Sequence, residues 1–210
     1  MNAEKRVDII KDWIIDYVND MPKKASTLIV GVSGGIDSAV VSTISSMTGI
    51  NTIVLSMPIR QIKSQDDLSK LHCKWLEEKF ENTKYLNINL DNVFSDFEKA
   101  VGNHNNEHAF ANSRARLRMT TLYQIAGSNN GIVVGTGNKV EDFGVGFYTK
   151  YGDGGVDISP IADCTKTQVW EMGKFLNVDQ KIIDAPPTDG LWADGRNDED
   201  QLGMSYQDLE

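Results

Sequence analysis

Apolar positions along the chain follow two alternating signatures. Val7, Ile10, Ile14, Tyr17 and Val18 fall on one face at helical spacing and Pro22 stops the pattern, so the opening segment predicts an amphipathic docking helix. Thr27-Leu28-Ile29-Val30 is a short apolar run without alternation, the pattern of a parallel strand covered on both faces. A glycine turn over residues 31–35 ends that run. Ala39, Val40, Val41 and Ile44 then carry a helix to Gly49, and Thr52-Ile53-Val54-Leu55 forms a second buried strand before Pro58. Leu68, Leu71, His72, Trp75 and Leu76 mark the core face of a helix over residues 65–80, and Tyr85-Leu86-Asn87-Ile88 reads as a third strand. Helices over 93–101 and 111–126 precede a fourth apolar strand, Gly131-Ile132-Val133-Val134-Gly135. The alternation predicts one α/β domain over residues 1–210. Its core is a doubly wound parallel sheet with helices on both faces, and its ligand site lies at the carboxyl ends of the strands.

The loop at the end of the first strand carries the strongest chemical signal. Gly31-Val32-Ser33-Gly34-Gly35-Ile36-Asp37-Ser38 joins a buried strand to a helix, a context in which backbone N–H groups close on a phosphate at a helix N-terminus. No Gly-Lys-Ser/Thr occurs in the chain, so this is not a Walker A loop, and it brings no lysine of its own. Amides, the Ser33 and Ser38 hydroxyls and the helix dipole have to hold the anion. Asp37 would repel a phosphate unless a cation lay between them, which implies Mg²⁺. The plainer reading is a turn with Asp37 or Ser38 capping the helix. On the same rim, Gly135-Thr136-Gly137-Asn138-Lys139-Val140-Glu141 leaves the fourth strand, with Glu141 as a second hard oxygen ligand for an octahedral cation. Residues 147–157 combine aromatics, Lys150, three glycines and Asp157 in one loop, with a hairpin turn at Asp153-Gly154-Gly155 as the structural alternative.

Composition narrows the partners. The 210 residues are 40% apolar and 24% charged with a formal charge of −9, and no basic run is present, which argues against a duplex nucleic-acid surface. A nucleotide stays compatible, because screening confines long-range repulsion to about 8 Å. Cys73 and Cys164 lack any C-x-x-C spacing and read as buried, reduced thiols. No run approaches the roughly 20 apolar residues of a membrane span. Asp8, Asp12 and Asp16 do not suit a secretory segment, so the cytoplasm is the expected compartment. His104-Asn105-Asn106-Glu107-His108 matches a zinc signature, but it is polar throughout and follows Gly102, so the match is expected to be accidental. His72 reads as a satisfied core residue, and Trp13, Trp75 and Trp170 as core or interface residues.

Ser-Gly-Gly-Ile-Asp-Ser is the signature of the ATP pyrophosphatase (PP-loop) superfamily. The further segments are Gly-Thr-Gly-Asn-Lys, Phe-Tyr-Thr-Lys-Tyr-Gly-Asp-Gly-Gly-Val-Asp, Ile-Ser-Pro-Ile-Ala-Asp, Lys166-Thr167-Gln168-Val169, Gly190-Leu191-Trp192 and Asp198-Glu199-Asp200. With them the chain resembles ammonia-dependent NAD synthetase over essentially its whole length. The resemblance implies a Rossmann-like fold of the adenine nucleotide alpha hydrolase type. It implies Asp37 and Glu141 as Mg²⁺ ligands; Gly31 to Ser38, Thr136, Lys166 and Thr188 as ATP contacts; and Arg116, Lys150 and Asp157 as contacts to deamido-NAD. Asp37 and Lys166 are the residues expected to carry the chemistry. Arg114, Arg116 and Arg118 spread over a broad helix face, so only one is expected at the ligand, with the others in salt bridges or a subunit contact. Lys166 opens a helix, whose N–H groups would add to its ammonium at a phosphate.

The implied reaction is ATP-dependent amidation of deamido-NAD by ammonia through an acyl-adenylate, giving NAD, AMP and pyrophosphate, the last step of NAD biosynthesis. Ammonia is taken free or from a partner, and the family implies a homodimer. The alternatives are amidation of deamido-NMN or another acceptor, and a truncated, non-catalytic nucleotide-binding module. Family members continue past Ser205-Tyr206-Gln207-Asp208-Leu209-Glu210 with a basic His-Lys segment, and without those substrate contacts KM is expected to rise.

Overall fold

The computed structural model describes residues 1–188 and 198–210; Gly190, Leu191 and Trp192 of the sequence motif lie outside them. Four parallel strands, β1 (Thr27–Gly31), β2 (Asn51–Ser56), β3 (Thr83–Asn87) and β4 (Gly131–Val133), form one sheet in the order β3-β2-β1-β4. Helices α1 (Ala3–Asp20), α2 (Ile36–Met47), α3 (Lys63–Lys79), α4 (Asp91–Val101) and α5 (Glu107–Ser128) lie between and before the strands. A π-helical segment (Lys139–Val145), α6 (Lys166–Phe175) and the short α7 (Gln180–Ile183), α8 (Asp198–Leu202) and α9 (Tyr206–Leu209) follow.

Side-chain alternation along β1 divides the core into two layers. Leu28 and Val30 face a cluster with α1, α2, α6 and the Cys73–Leu76 stretch of α3, while Ile29 faces Phe94 of α4 and Met119, Leu122 and Ala126 of α5. Both faces are covered, which is why β1 reads as an unbroken apolar run. The chain builds β2 and β3 on one side of β1 and then returns to place β4 on the other, so the sheet reverses direction between β1 and β4. Loops leaving those two neighbours splay apart there and leave a crevice.

Several expectations need correction. The fourth strand stops at Val133, because Val134 and Gly135 turn to pair with Ile158, whose carbonyl accepts from Gly135 N at 2.8 Å. The third strand begins at Thr83 and carries exposed Lys84 and Asn87, as an edge strand does. Tyr17 points outward at 38% exposure against Trp13, which is also exposed, so neither belongs to the core. The turns at residues 149–155 are tight loop turns, with Gly152 N and Gly155 N donating to Thr149 O and Gly152 O, and no strands flank them. Glu107 starts α5 behind the cap Asn106, so His104 lies outside the helix and the two histidines do not share a turn. Among the described residues no cluster of three or more metal-ligating side chains of the His, Cys, Asp and Glu types occurs. No helix among them is long and apolar enough to cross a membrane. Cys73 and Cys164 are buried free thiols, as expected.

His72 is 2% exposed on α3, with Nε2 3.1 Å from Ala39 O and 3.2 Å from Ser42 Oγ of α2. Burial pushes its pKa down to about 4. The neutral ring is therefore the folded form, whereas the unfolded chain binds a proton below about 6.5. Stability present above pH 6.5 is lost as the pH falls toward 4, by about 3 kcal/mol in full. Urea unfolding between pH 7 and pH 4 should show this loss in the wild type and a smaller loss in His72→Gln.

Candidate active site

The loop from β1 enters the crevice with Val32 N donating to Leu55 O at 2.8 Å, which ties it to the neighbouring strand. Gly34 has φ +95°, and a Cβ there would stand 2.6 Å from Gln65 O, so this position requires glycine on both counts. Gly35 occupies the N-cap of α2 and no side chain caps the helix. The capping role considered for Asp37 or Ser38 is thus not the one they play. Instead Ser38 Oγ donates to Gly35 O at 3.0 Å and accepts from Ser33 N at 3.1 Å, holding the loop in a closed curve. The α2 N-terminus is left facing the crevice.

Lys166 reaches this point from α6. Residues 166, 169 and 173 share one helix face, and a Cβ on Gly173 would lie 2.5 Å from Ile36 Cδ1, so α6 seats directly on the first turn of α2. The Lys166 side chain is 2% exposed, and its ammonium donates to Asp37 Oδ2 at 2.6 Å and Glu141 Oε1 at 2.8 Å. At the helix end Thr165 and Gln168 form a reciprocal cap, and Thr167 N donates to Glu210 Oε1 at 2.7 Å. Lys166 offers its ammonium to the crevice.

Asn138, fully buried, was part of a sequence motif but had no assigned role. Its Nδ2 donates to Asp37 Oδ1 at 3.0 Å, while its Oδ1 accepts from Val140 N and Glu141 N at 3.0 and 3.1 Å. One amide thus sets the rotamer of the first carboxylate and caps the π-helical segment that delivers the second. Tyr206 from α9 also donates to Glu141 Oε1. No sequence signal pointed to Tyr206, because its partner is 65 residues away.

Burial pushes the Asp37 carboxyl up, and Lys166 pulls it back only in part. The same burial acts on Glu141, but Lys166, Tyr206 and Asn138 outweigh it and hold this carboxyl below the usual range. Burial alone would lower Lys166, and the two carboxylates reverse that and raise it. Burial, reinforced by Asp153, Glu141 and Asp37, pushes Asp142 up to about 7.

With both carboxyls ionised, the two carboxylates around one ammonium would carry a net charge of −1 in a seat where all three side chains are at most 16% exposed. Buried uncompensated charge is costly, so the seat favours a further cation. Mg²⁺ is commonly held by one or two carboxylates, with phosphate oxygens and water completing its shell. Asp37 and Glu141 are the side chains at this point whose oxygen chemistry would suit such an ion.

A cavity of about 550 Å³ opens over the seat. Its wall includes Gly31, Val32, Ser33, Gly35, Ile36, Asp37, Ser38, Thr136, Glu141, Lys166 and Thr188, so the predicted ATP and metal positions converge there except Gly34, which supports the loop from behind. Arg118, not Arg116, lines the same cavity, donating to Met57 O at 3.0 Å and Gln61 Oε1 at 2.9 Å. Arg114 stacks over Phe94. The three residues expected at deamido-NAD lie outside the cavity wall along a seam of α5. There Arg116 Nε donates to Lys150 O at 3.0 Å, and Tyr123, seven residues on, donates to Asp157 Oδ1 at 3.0 Å. Asp157 Oδ2 also accepts from Val133 N at 2.7 Å, which anchors the end of β4.

The family model described as NAD synthase matches residues 6–210. The chain belongs to the NAD synthase family. It is 37% identical to the NH(3)-dependent NAD(+) synthetase of Carboxydothermus hydrogenoformans, over 100% of this chain and 85% of that protein. It is 39% identical to the enzyme of the same name from Sulfolobus acidocaldarius, over 94% of this chain and 68% of that protein. Among solved structures, an NMN synthetase from Francisella tularensis superposes with a TM-score of 0.91 at 33% identity, covering 100% of this chain and 84% of that one. An NH3-dependent NAD synthetase from Campylobacter jejuni superposes with a TM-score of 0.77 at 29% identity, over 87% of this chain and 77% of that one. These likenesses span both layers of the core, so the NAD synthase fold accounts for the crevice and for the loops that line it.

Replacing Asn138 by Ala in this NAD synthase chain removes the acceptor of two buried N–H groups and frees Asp37 Oδ1. The expected cost is about 2 kcal/mol of stability, read as a lower urea midpoint at unchanged slope.

Proposed function

We propose that this chain is the ligase that forms the amide of NAD from deamido-NAD and ammonia at the expense of ATP. The observation that supports it most directly is the buried Lys166 held between Asp37 and Glu141 at the open N-terminus of α2, within a chain of the NAD synthase family. ATP is a substrate of this family. Mg²⁺ as its companion, a cytoplasmic setting and a homodimer are further parts of the reading.

In this reaction a nicotinate carboxylate oxygen attacks the α-phosphorus of ATP, the α–β phosphoanhydride bond breaks, and pyrophosphate departs with the electron pair. Ammonia then attacks the acyl carbon, loses a proton, and AMP leaves with the bonding pair. Charge grows on the departing diphosphate in the first step, next to the loop amides of residues 33–38 and the α2 dipole. Lys166 supplies a cation raised firmly into its charged form. Asp37 and Glu141 would hold Mg²⁺, which when bound neutralises phosphate charge as a Lewis acid. The cavity wall has no role for a covalent nucleophile in this scheme, since the phosphoryl group supplies the activation.

A second acceptor deserves a place in the test, because the structure superposing at TM-score 0.91 is an NMN synthetase. Deamido-NMN carries the same nicotinate carboxylate without the adenylate half. Pyrophosphate release should require ATP, Mg²⁺ and one of these two nicotinate nucleotides, and ammonium should then yield the matching amide. The ratio of kcat/KM values for the two identifies the acceptor. Asp37→Ala should lower kcat by about 100-fold or more. Release that is indifferent to both acceptors would sink the assignment.

A further inference from the structure

We propose that Tyr206 is a positioning residue for the reaction, holding Glu141 in place for the metal from outside the loops that carry the family motifs. This rests on the function proposed above and adds α9 to the machinery.

Glu141 Oε1 accepts two hydrogen bonds, from Lys166 Nζ at 2.8 Å and from Tyr206 Oη. The two donors differ in kind. Lys166 is a cation shared with Asp37 and is the group that an incoming triphosphate attracts. Tyr206 is an uncharged phenol whose hydroxyl donates to that carboxylate. A neutral donor on Oε1 orients the carboxylate without competing for a metal ion through charge.

The ring that delivers this hydroxyl is tightly placed. Tyr206 is 2% exposed and packs edge-on against Trp170 of α6 at 5.9 Å, with the Lys166 ammonium 5.1 Å from its ring centre. Its backbone N donates to Glu199 Oε1 at 2.9 Å, and Glu210, at the other end of α9, receives Thr167 N. The segment that carries Tyr206 is therefore fastened to the first turn of the helix that carries Lys166. Partners of this kind, bonded to a ligand and not to the metal, are worth about 10- to 100-fold in metal affinity.

The test uses the full chain with Mn²⁺ and a non-hydrolysable ATP analogue, reading metal affinity by electron paramagnetic resonance. Tyr206→Phe keeps the ring and deletes the hydroxyl. Mn²⁺ affinity should fall about tenfold, with the metal-free affinity for the analogue unchanged. In turnover, the Mg²⁺ requirement should rise by a similar factor, with kcat regained at saturating Mg²⁺. In a Glu141→Gln background the same substitution should add no further loss of Mn²⁺ affinity, because the hydroxyl acts through that carboxylate. Wild-type Mn²⁺ affinity in Tyr206→Phe, or losses that add in the double variant, would overturn the role of Tyr206. Absence of any analogue-dependent Mn²⁺ site in the wild type would instead count against the parent reading.

Discussion

A buried ammonium shared between two carboxylates is the interaction around which this protein is organised. Asp37 comes from the first turn of α2, Glu141 from the π-helical segment after β4, and Lys166 from the first turn of α6. Three segments separated by 25 to 129 residues have to arrive within hydrogen-bonding distance for the group to be tolerated at all. Charges desolvated this far destabilise a fold unless they are paired, so their meeting couples the site to correct assembly of the sheet and its helices.

Packing explains how the three segments converge. The sheet reverses its winding between β1 and β4, and the two loops that flank the reversal are the ones that carry Asp37 and Glu141. Gly173 lets α6 approach α2 until Ile36 fills the space a side chain would take, and that approach brings Lys166 to the same rim. Asn138 links the two loops through a single buried amide, so neither carboxylate depends on solvent for its orientation. Preorganisation of this kind means that little rearrangement remains when charge develops on a departing diphosphate.

The seam along α5 has a different character. Arg116, Lys150 and Asp157 lie outside the cavity wall and are tied into the loop after β4 by hydrogen bonds to backbone and to Tyr123. Their expected role at the acceptor nucleotide would extend the site from the phosphate seat along that flank. Arg118 stands in the cavity wall and Arg116 does not, because a two-residue step on a helix turns the side chain through about 200°.

Apolar runs, their spacing and the glycine loop were enough to give from the sequence the parallel sheet and the convergence of the glycine loop, Asp37 and Glu141 on one rim. Those features are local: a covered strand is apolar on both faces, a phosphate loop needs glycines and hydroxyls in a row, and each leaves its mark within a few residues. What only the tertiary structure decided is which distant polar groups are bonded to one another. Asn138 bridging the two loops, Lys166 between Asp37 and Glu141, Arg118 in the wall and Tyr206 on Glu141 all depend on the meeting of elements far apart in the chain. Such contacts leave no periodicity in the sequence, because the energy that selects them, the cost of burying an unpaired polar or charged group, exists only once the elements have packed.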